Sequence, residues 1–524
     1  MKKLLFLLAL IPLWATAQTD SQLEVDCGDA VQVVATPSEG FRFVRWTDGE
    51  TDNPRTVTAL DNLIFSAVFE QIEDENIIVG DGENESLNDG DDVNTVIVEP
   101  GGNLNINAST VSIGVLIITA DGLHSGQVHH NGNNITADHI YLEYILNPFG
   151  TTASPDRWYA FAVPFEVNIE TGISRTCDNK TLVSGTDFLI LEYNGLLRAL
   201  QGKGWSKKLS GTLEPGNFYM LGIDGTCNRW RFEKTGATFE GLIQQQLQAY
   251  GLGNSACDPL NIGWNSLGNT RLEYSGLTNL SSSISDLLYG VTYDNIFGKY
   301  ETHLLNDLDL FVGQPFFIQT TSNGSFDFHY NGPHPMPALR APKATTPMMH
   351  FTLSNEANTV GTDHLYLTLH DEANDTYTIG RDVTRMSADC KTAAQLWCLS
   401  PEGTQLTAHG ITYPETETVV PLGLFTPTNG EYILNMDTRA TDEFEIELLY
   451  HNTYVSTLHS AQPITIDLNA GDNNGYTIIV RRKMPTDIEN IQSNSEQNQK
   501  VLIDGQLYIL HGAHIYDAQG KMQK

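Results

Sequence analysis

The stretch Asp156-Arg-Trp-Tyr-Ala-Phe-Ala-Val-Pro-Phe-Glu-Val167 decides how the chain is read. It reads as a half-buried strand, with the two-residue period in which successive side chains point to opposite faces. Trp158, Tyr159 and Phe161 suit a pleated surface. Pro164 has no N–H to give to a ladder, which points to an edge position or a bulge. A related pattern returns at Gly263-Trp-Asn-Ser-Leu-Gly-Asn269. After the first tryptophan come Phe188-Leu-Ile-Leu-Glu-Tyr-Asn194 and Leu213-Glu-Pro-Gly-Asn-Phe-Tyr-Met-Leu221. After the second come Val291-Thr-Tyr-Asp294 and Leu310-Phe-Val-Gly-Gln-Pro-Phe-Phe-Ile-Gln319. The order is the same each time: a Trp strand, a Tyr strand, then a glycine turn feeding an aromatic strand. Residues 147–336 are therefore expected to be a duplicated β-sandwich region, either two lobes or one sandwich of two sheets. Between the halves, Leu242, Ile243 and Leu247 give Phe239–Tyr250 a helical spacing.

Working outward toward the N-terminus, residues 94–146 hold short strands separated by Gly and Asn corners. These are Val96-Ile-Val98, Leu104-Asn-Ile106, Val115-Leu-Ile-Ile-Thr119 and His139-Ile-Tyr-Leu-Glu-Tyr144. The spacing predicts one or two turns of a parallel β-solenoid, or a sheet leading into the next domain. So few turns bury little core alone, so the segment is expected to pack on the central region. Residues 72–93 are acidic and rich in Gly and Asn, and read as a solvated linker. Within it Asp89, Asp91 and Asp92 are candidate calcium ligands, because carboxylates are hard oxygen donors.

Residues 18–71 read as a small β module. Val31-Gln-Val-Val-Ala-Thr-Pro37 runs into a turn, and Glu39-Gly-Phe-Arg-Phe-Val-Arg-Trp46 alternates. Asp48-Gly49 and Asn53-Pro54 are turn signals, and Leu63–Phe69 closes the unit. The order Ala35-Thr-Pro, Gly40-Phe-Arg-Phe, Trp46-Thr-Asp-Gly49, Asn53-Pro-Arg-Thr-Val-Thr58 and Phe65-Ser-Ala-Val-Phe69 resembles the divergent internalin-type B-repeat of bacterial surface proteins. That resemblance implies a spacer or adhesive module rather than an enzyme.

Toward the C-terminus, residues 337–348 are rich in proline and read as an extended linker. Residues 349–483 are expected to be a further β-sandwich, with strands such as Leu365–Leu369, Val419–Leu424, Gly430–Asn435 and Tyr476–Val480 at turn-separated intervals. Residues 484–524 form a polar spacer and a hairpin that turns at Asp504-Gly505. Trp158-Tyr and Pro164-Phe, with Gly263-Trp-Asn, resemble strands of large secreted surface proteins of Bacteroidetes. Val420-Pro-Leu-Gly-Leu, Asn429-Gly-Glu-Tyr-Ile-Leu and Gly475-Tyr-Thr-Ile-Ile-Val-Arg-Arg482 resemble the domain that precedes their C-terminal tail. Ile515-Tyr-Asp-Ala-Gln-Gly-Lys521 resembles the sorting domain of type IX secretion, here in a truncated form. The resemblance implies recognition of the tail by secretion machinery.

The chain has 524 residues, enough for several domains, and only 18% are charged. Its net charge of -35 repels a phosphate backbone, so no nucleic-acid partner is expected. Residues 1–17 read as a secretory signal, with Lys2 and Lys3, the apolar run Leu4–Trp14 and the small-residue pattern Ala15-Thr-Ala17. That run is too short to cross a bilayer and no later one is longer, so no transmembrane segment is expected. Six cysteines in an exported chain permit disulfides, and Cys390–Cys398 is the expected local bridge. Of the three central cysteines, at least one is free or pairs between domains.

The chain holds no Gly-x-Ser-x-Gly elbow, no His-Glu-x-x-His and no phosphate-binding glycine loop. His129, His130, His364, His370 and His451 lack metal-ligand spacing. Asp307 and Asp309 are a same-side carboxylate pair of the kind a glycosidase assembles. Trp205 and Trp230 are the candidate glycan-stacking residues, Trp205 by its glycine and lysine neighbours and Trp230 between Arg229 and Arg231. The fold is thus expected to be all-β and multi-domain: antiparallel β-sandwiches, a small N-terminal β module and a short solenoid-like segment. The expected function is non-enzymatic adhesion or scaffolding outside the cell, toward a surface glycan or a host or matrix protein. The alternatives are glycan binding through the tryptophans, or a hydrolase with a carboxylate site. No cofactor is expected beyond calcium.

Overall fold

The fold is that of a computed structural model, which describes residues 3–8, 21–26, 30–36, 41–58, 64–71, 76–107, 111–130, 135–146, 158–178, 180–223, 227–236, 238–239, 244–330, 332, 347–371, 376–387, 390–439, 441–483, 499–503, 506–511, 514–517 and 519–523. It is an all-β, multi-domain protein, 56% strand, and Gly195–Gln201 is the one α-helix among the described residues. The segments read as Ala15–Ala17 and as the proline-rich linker from 337 to 346 lie outside the described residues. Within the segment read as a signal, the backbone of Lys3–Leu8 pairs antiparallel with Ser21–Asp26.

The N-terminal module is made of two-stranded ribbons, Ala30–Val33 with Arg55–Thr58 and Phe41–Trp46 with Ala67–Gln71. Trp46 is fully buried, with Phe43 edge-on at 5.4 Å and the Arg55 guanidinium 4.8 Å over its face. Arg55 is held there by Asp48 at 2.7 Å, so one ion pair and one aromatic centre close a unit with little other core.

From Asn76 the chain winds as a parallel solenoid. Asn76–Val79, Asp92–Val98, Ser112–Ala120 and Ile135–Ile145 form one parallel face, and Asn84–Leu87, Asn103–Ile106 and Gln127–His129 form the other. Of the acidic stretch read as a linker, residues 72–75 lie outside the described residues, while residues 76–93 supply the first rung, with Glu83, Glu85 and Asp92 exposed on it and Asp81 and Asp89 exposed at its corners. Val79, Val98, Ile118 and Leu142 stack directly on one another in register and are all fully buried. The ladder does not stop there. Leu142 pairs with Phe232, and Phe232 with Ile173, so the exposed edge of the solenoid is closed by two antiparallel strands of the central region. One apolar core runs unbroken from Val79 to Phe232.

The central duplication is explicit in the strand order. The first lobe has a four-stranded sheet in the order Trp158–Phe161, Tyr219–Ile223, Phe188–Tyr193, Trp205–Lys208; the second repeats it as Trp264–Gly268, Pro315–Gln319, Tyr289–Asp294, Lys299–Leu304. A second sheet backs each lobe. In the first it is Ile135–Ile145, Arg229–Glu233, Ile173–Arg175; in the second it is Gln244–Leu247, Gly324–Tyr330, Ser275–Thr278. Gln244–Leu247 is thus a strand equivalent to the last solenoid strand, not part of a helix. The helical spacing rested on Leu242 and Ile243, which lie outside the described residues, and the strand itself pairs with Gly324–Tyr330. Gly216 and Gly313, at φ +77° and +74°, make the equivalent turn before each aromatic strand.

Trp158–Phe161 is an edge strand, as Pro164 led one to expect, but it is buried on both faces rather than one. Tyr159 and Phe161 enter the core of their own lobe, while Ala160 and Trp158 enter a second core shared between the lobes. The aromatic strands do the same: Tyr219 and Leu221 against Met220, Phe316 and Ile318 against Phe317. Phe317 sits at the centre of this shared core, 4.6 Å from Phe218, 4.7 Å from Tyr193 and 6.2 Å from Trp205 and Trp264.

Residues 349–483, expected to be a sandwich of two sheets, instead fold as one long curled sheet from Met348 to Arg482, nearly closed like a barrel, whose edge strands Thr453–Leu458 and Ile464–Leu468 are consecutive in the chain. Its Asp363–His370 and Gln405–Thr412 pair in parallel and lie against the second lobe. The tail is an antiparallel meander of Gln499–Ile503, Gln506–His511, His514–Asp517 and Met522–Gln523.

Candidate functional site

The tryptophans do not form a platform. Trp230 is fully buried, and its indole N–H donates to the Cys227 carbonyl at 3.0 Å. The alternation of the strand explains this: Arg229 and Arg231 point the other way and hold Glu143, at 2.7 and 2.6 Å, while Trp230 and Phe232 point inward. Trp205 is half-buried, its ring edge-on to Tyr193 at 5.2 Å and Phe218 at 5.4 Å. It belongs to the core between the lobes.

The other candidates also resolve. Asp91 closes the corner before Asp92–Val98 by accepting from the Asn88 N–H at 2.7 Å, and Asp89 and Asp92 lie exposed on the same rung. Among the described residues, no three His, Cys, Asp or Glu side chains converge in a geometry that would hold a metal ion. Asp307 pairs with Arg439 at 3.3 Å. Cys390 and Cys398 are not bridged: Cys398 is buried on its strand with its thiol pushed up by burial, while Cys390 Sγ faces the Phe297 carbonyl at 3.8 Å. The disulfide is Cys177–Cys227, which straddles the paired strands Ile173–Arg175 and Arg229–Glu233, and Cys257 is free.

What the structure assembles instead is a polar seam between the second lobe and the C-terminal barrel-like sheet. Lys299, wholly buried, donates to Asp363 and Glu301, each at 3.0 Å, and to the Thr362 carbonyl. Burial works to lower the ammonium's pKa, but the two carboxylates overcome it and raise it, so Lys299 stays charged. Thr302 and Thr407 share a buried hydroxyl contact at 2.7 Å. Above them His350 Nε2 lies 3.0 Å from His364 Nδ1, with His303 at 5.8 Å between ring centroids. Burial pushes all three imidazoles down, His350 to about 4.

Beside this seam opens a cleft of about 820 Å³, within the size of small-molecule sites and at a domain junction, where such sites concentrate. Asp286, Leu288 and Thr321 form one wall; His370, Tyr377 and Arg381 form the other. The second wall is built on a tight turn. The N–H groups of Arg381 and Asp382 donate to the Thr378 carbonyl, Asp382 accepts from the Thr378 N–H, and Gly380 takes φ +91°. Asp382 is itself buried, accepting from the Gly410 N–H at 2.7 Å and lying 2.9 Å from His409 Nδ1. A side chain at Gly410 would press on both His370 and Arg381, at 3.2 and 3.3 Å. Tyr377 spans the two walls, its hydroxyl donating to Gln319 at 2.6 Å. Burial, then the charge of Arg381, pushes the His370 pKa down. Sequence reasoning noticed His370 only as a scattered histidine and missed Tyr377 and Arg381; the tight Thr378–Asp382 turn was their only local signal.

Residues 15–73 match the family model described as a divergent InlB B-repeat domain. No curated protein matches the chain. No helix among the described residues is long and apolar enough to cross a membrane.

Proposed function

We propose that the chain is a non-catalytic protein of the cell exterior that works in adhesion or scaffolding. The observation that carries this reading is the match of residues 15–73 to a divergent InlB B-repeat domain, which suggests a surface or adhesion-type protein. The rest of the architecture suits a mount for such a module. A parallel ladder continues into the first lobe, both lobes share a core, and a buried ion pair ties the second lobe to the C-terminal barrel-like sheet. The tail 499–523 supplies an exposed four-stranded meander that we read as the element recognised during export to the surface of a Bacteroidetes-type cell, after a signal at residues 1–17.

The test compares surface exposure and attachment of cells that make the full chain with cells that make variants. Removing residues 18–71 should abolish attachment while leaving the chain on the surface; removing residues 500–524 should keep it off the surface. Turnover of any member of a polysaccharide or peptide library by the full chain would instead support the hydrolase reading.

A further inference from the structure

We infer that the cleft between the second lobe and the C-terminal barrel-like sheet binds a carboxylate-bearing sugar, with Arg381 as the group that recognises the carboxylate. Arg381 makes no ion pair with the described residues although the chain has 64 Asp and Glu against 29 Lys and Arg. Most guanidiniums that the fold uses structurally are paired, such as Arg229 and Arg231 with Glu143 or Arg481 with Glu417. Arg381 instead faces a cavity of about 820 Å³, on a turn fixed from below by the buried Asp382. A planar, permanently charged donor carried on a fixed turn at the wall of a cleft is suited to capturing a carboxylate by two parallel hydrogen bonds.

The remaining lining favours a sugar over a peptide. Thr321, Thr378 and Asp286 offer hydroxyls and a carboxylate to ring hydroxyls, and Leu288 and Tyr377 offer apolar surface to a ring face. A peptide would need a row of free main-chain partners, and in the wall at 378–382 the N–H groups of Thr378, Arg381 and Asp382 are bonded inside the turn. The inference goes beyond the adhesive reading, which concerns the N-terminal module, and can fail while that reading stands.

The test is calorimetric titration of the full chain with glucuronic acid, galacturonic acid and N-acetylneuraminic acid, free and in short oligosaccharides. The methyl esters of the same sugars and a carboxylate-terminated peptide serve as comparisons. We expect at least one acidic sugar to bind, its methyl ester to bind about tenfold more weakly or worse, and Arg381→Ala to lose the acid form by a similar factor. Thermal unfolding of Arg381→Ala should match the parent, because the side chain anchors no ion pair with the described residues; Arg381→Lys should recover part of the affinity. Equal binding of acid and ester, retention in Arg381→Ala, preference for the peptide, or no binding to any acidic sugar would each overturn the inference.

Discussion

Lys299 of the second lobe and Asp363 of the C-terminal barrel-like sheet lie 3.0 Å apart, the ammonium with no exposure to solvent. Two charges are placed out of water at a junction between domains, and neither has an alternative partner in bulk solvent. Replacing one partner should therefore cost more than replacing both. Lys299→Met leaves Asp363 buried and should destabilise the chain by about 3–5 kcal/mol, while Lys299→Met with Asp363→Leu should regain part of it, since Glu301 and the Leu396 N–H still lose a partner. Urea unfolding of the single and double variants measures the difference, and a single variant within experimental error of the parent would mean the seam is open in solution.

Phe317 should behave as the keystone between the lobes. It is fully buried, and rings from both lobes surround it. Phe317→Ala should cost about 3–5 kcal/mol, and Phe317→Leu clearly less, because the residual cavity sets the penalty. Tryptophan emission should shift in the same variant, since Trp205 and Trp264 both lie 6.2 Å from the ring.

The histidines of the seam set a pH dependence with a definite sign. His350 is pushed down to about 4 by burial, and its ordinary value is 6.5. It faces His303 and His364, the cation Arg439, and the carboxylates Asp307 and Asp437, with Lys299 and Glu301 on the neighbouring lobe strand. Because the unfolded chain takes up the proton first, stability is complete above about pH 6.5 and falls as the pH drops toward 4. His350→Gln should flatten that fall by about 2–3 kcal/mol relative to the parent. Unfolding midpoints at a series of pH values check it; parallel curves for the two proteins would contradict it.

The disulfide should matter and the other cysteines should not. Cys177–Cys227 closes a separation of 50 residues, and opening it should cost about 3–4 kcal/mol in the loop-entropy account. Cys390→Ser should change stability by less than about 0.5 kcal/mol. Thiol labelling of the folded, unreduced chain should reach Cys390 and Cys257 before Cys398, which is buried with its thiol pushed up.

The strand class, the duplication and the N-terminal module were legible because each leaves a local trace. Aromatic strands follow matching glycine turns at Gly216 and Gly313, and Trp46 sits in a spaced set of turn residues. The first solenoid rung was not legible. Asn84–Leu87 exposes all but Leu87, so its composition is that of a linker and only its parallel partners make it a strand. The burial of Trp230 was legible in principle, since Arg229-Trp-Arg-Phe-Glu233 alternates charge with aromatic, but the arginines drew attention to stacking instead. The disulfide was hidden because the strands it joins are far apart in sequence. The cleft was hidden for the same reason: its walls come from Asp286 and Thr321 on one side and Tyr377 and Arg381 on the other.

The central claim is that this is an adhesive or scaffolding protein whose N-terminal module makes the contact. Its most direct test is the retention under flow of beads coated with the full chain, against beads coated with the chain lacking residues 18–71, on surfaces bearing host matrix proteins or glycans. The account predicts retention by the full chain on at least one surface and its loss without the module. Equal retention by the two coatings, or none by either on every surface, would contradict it.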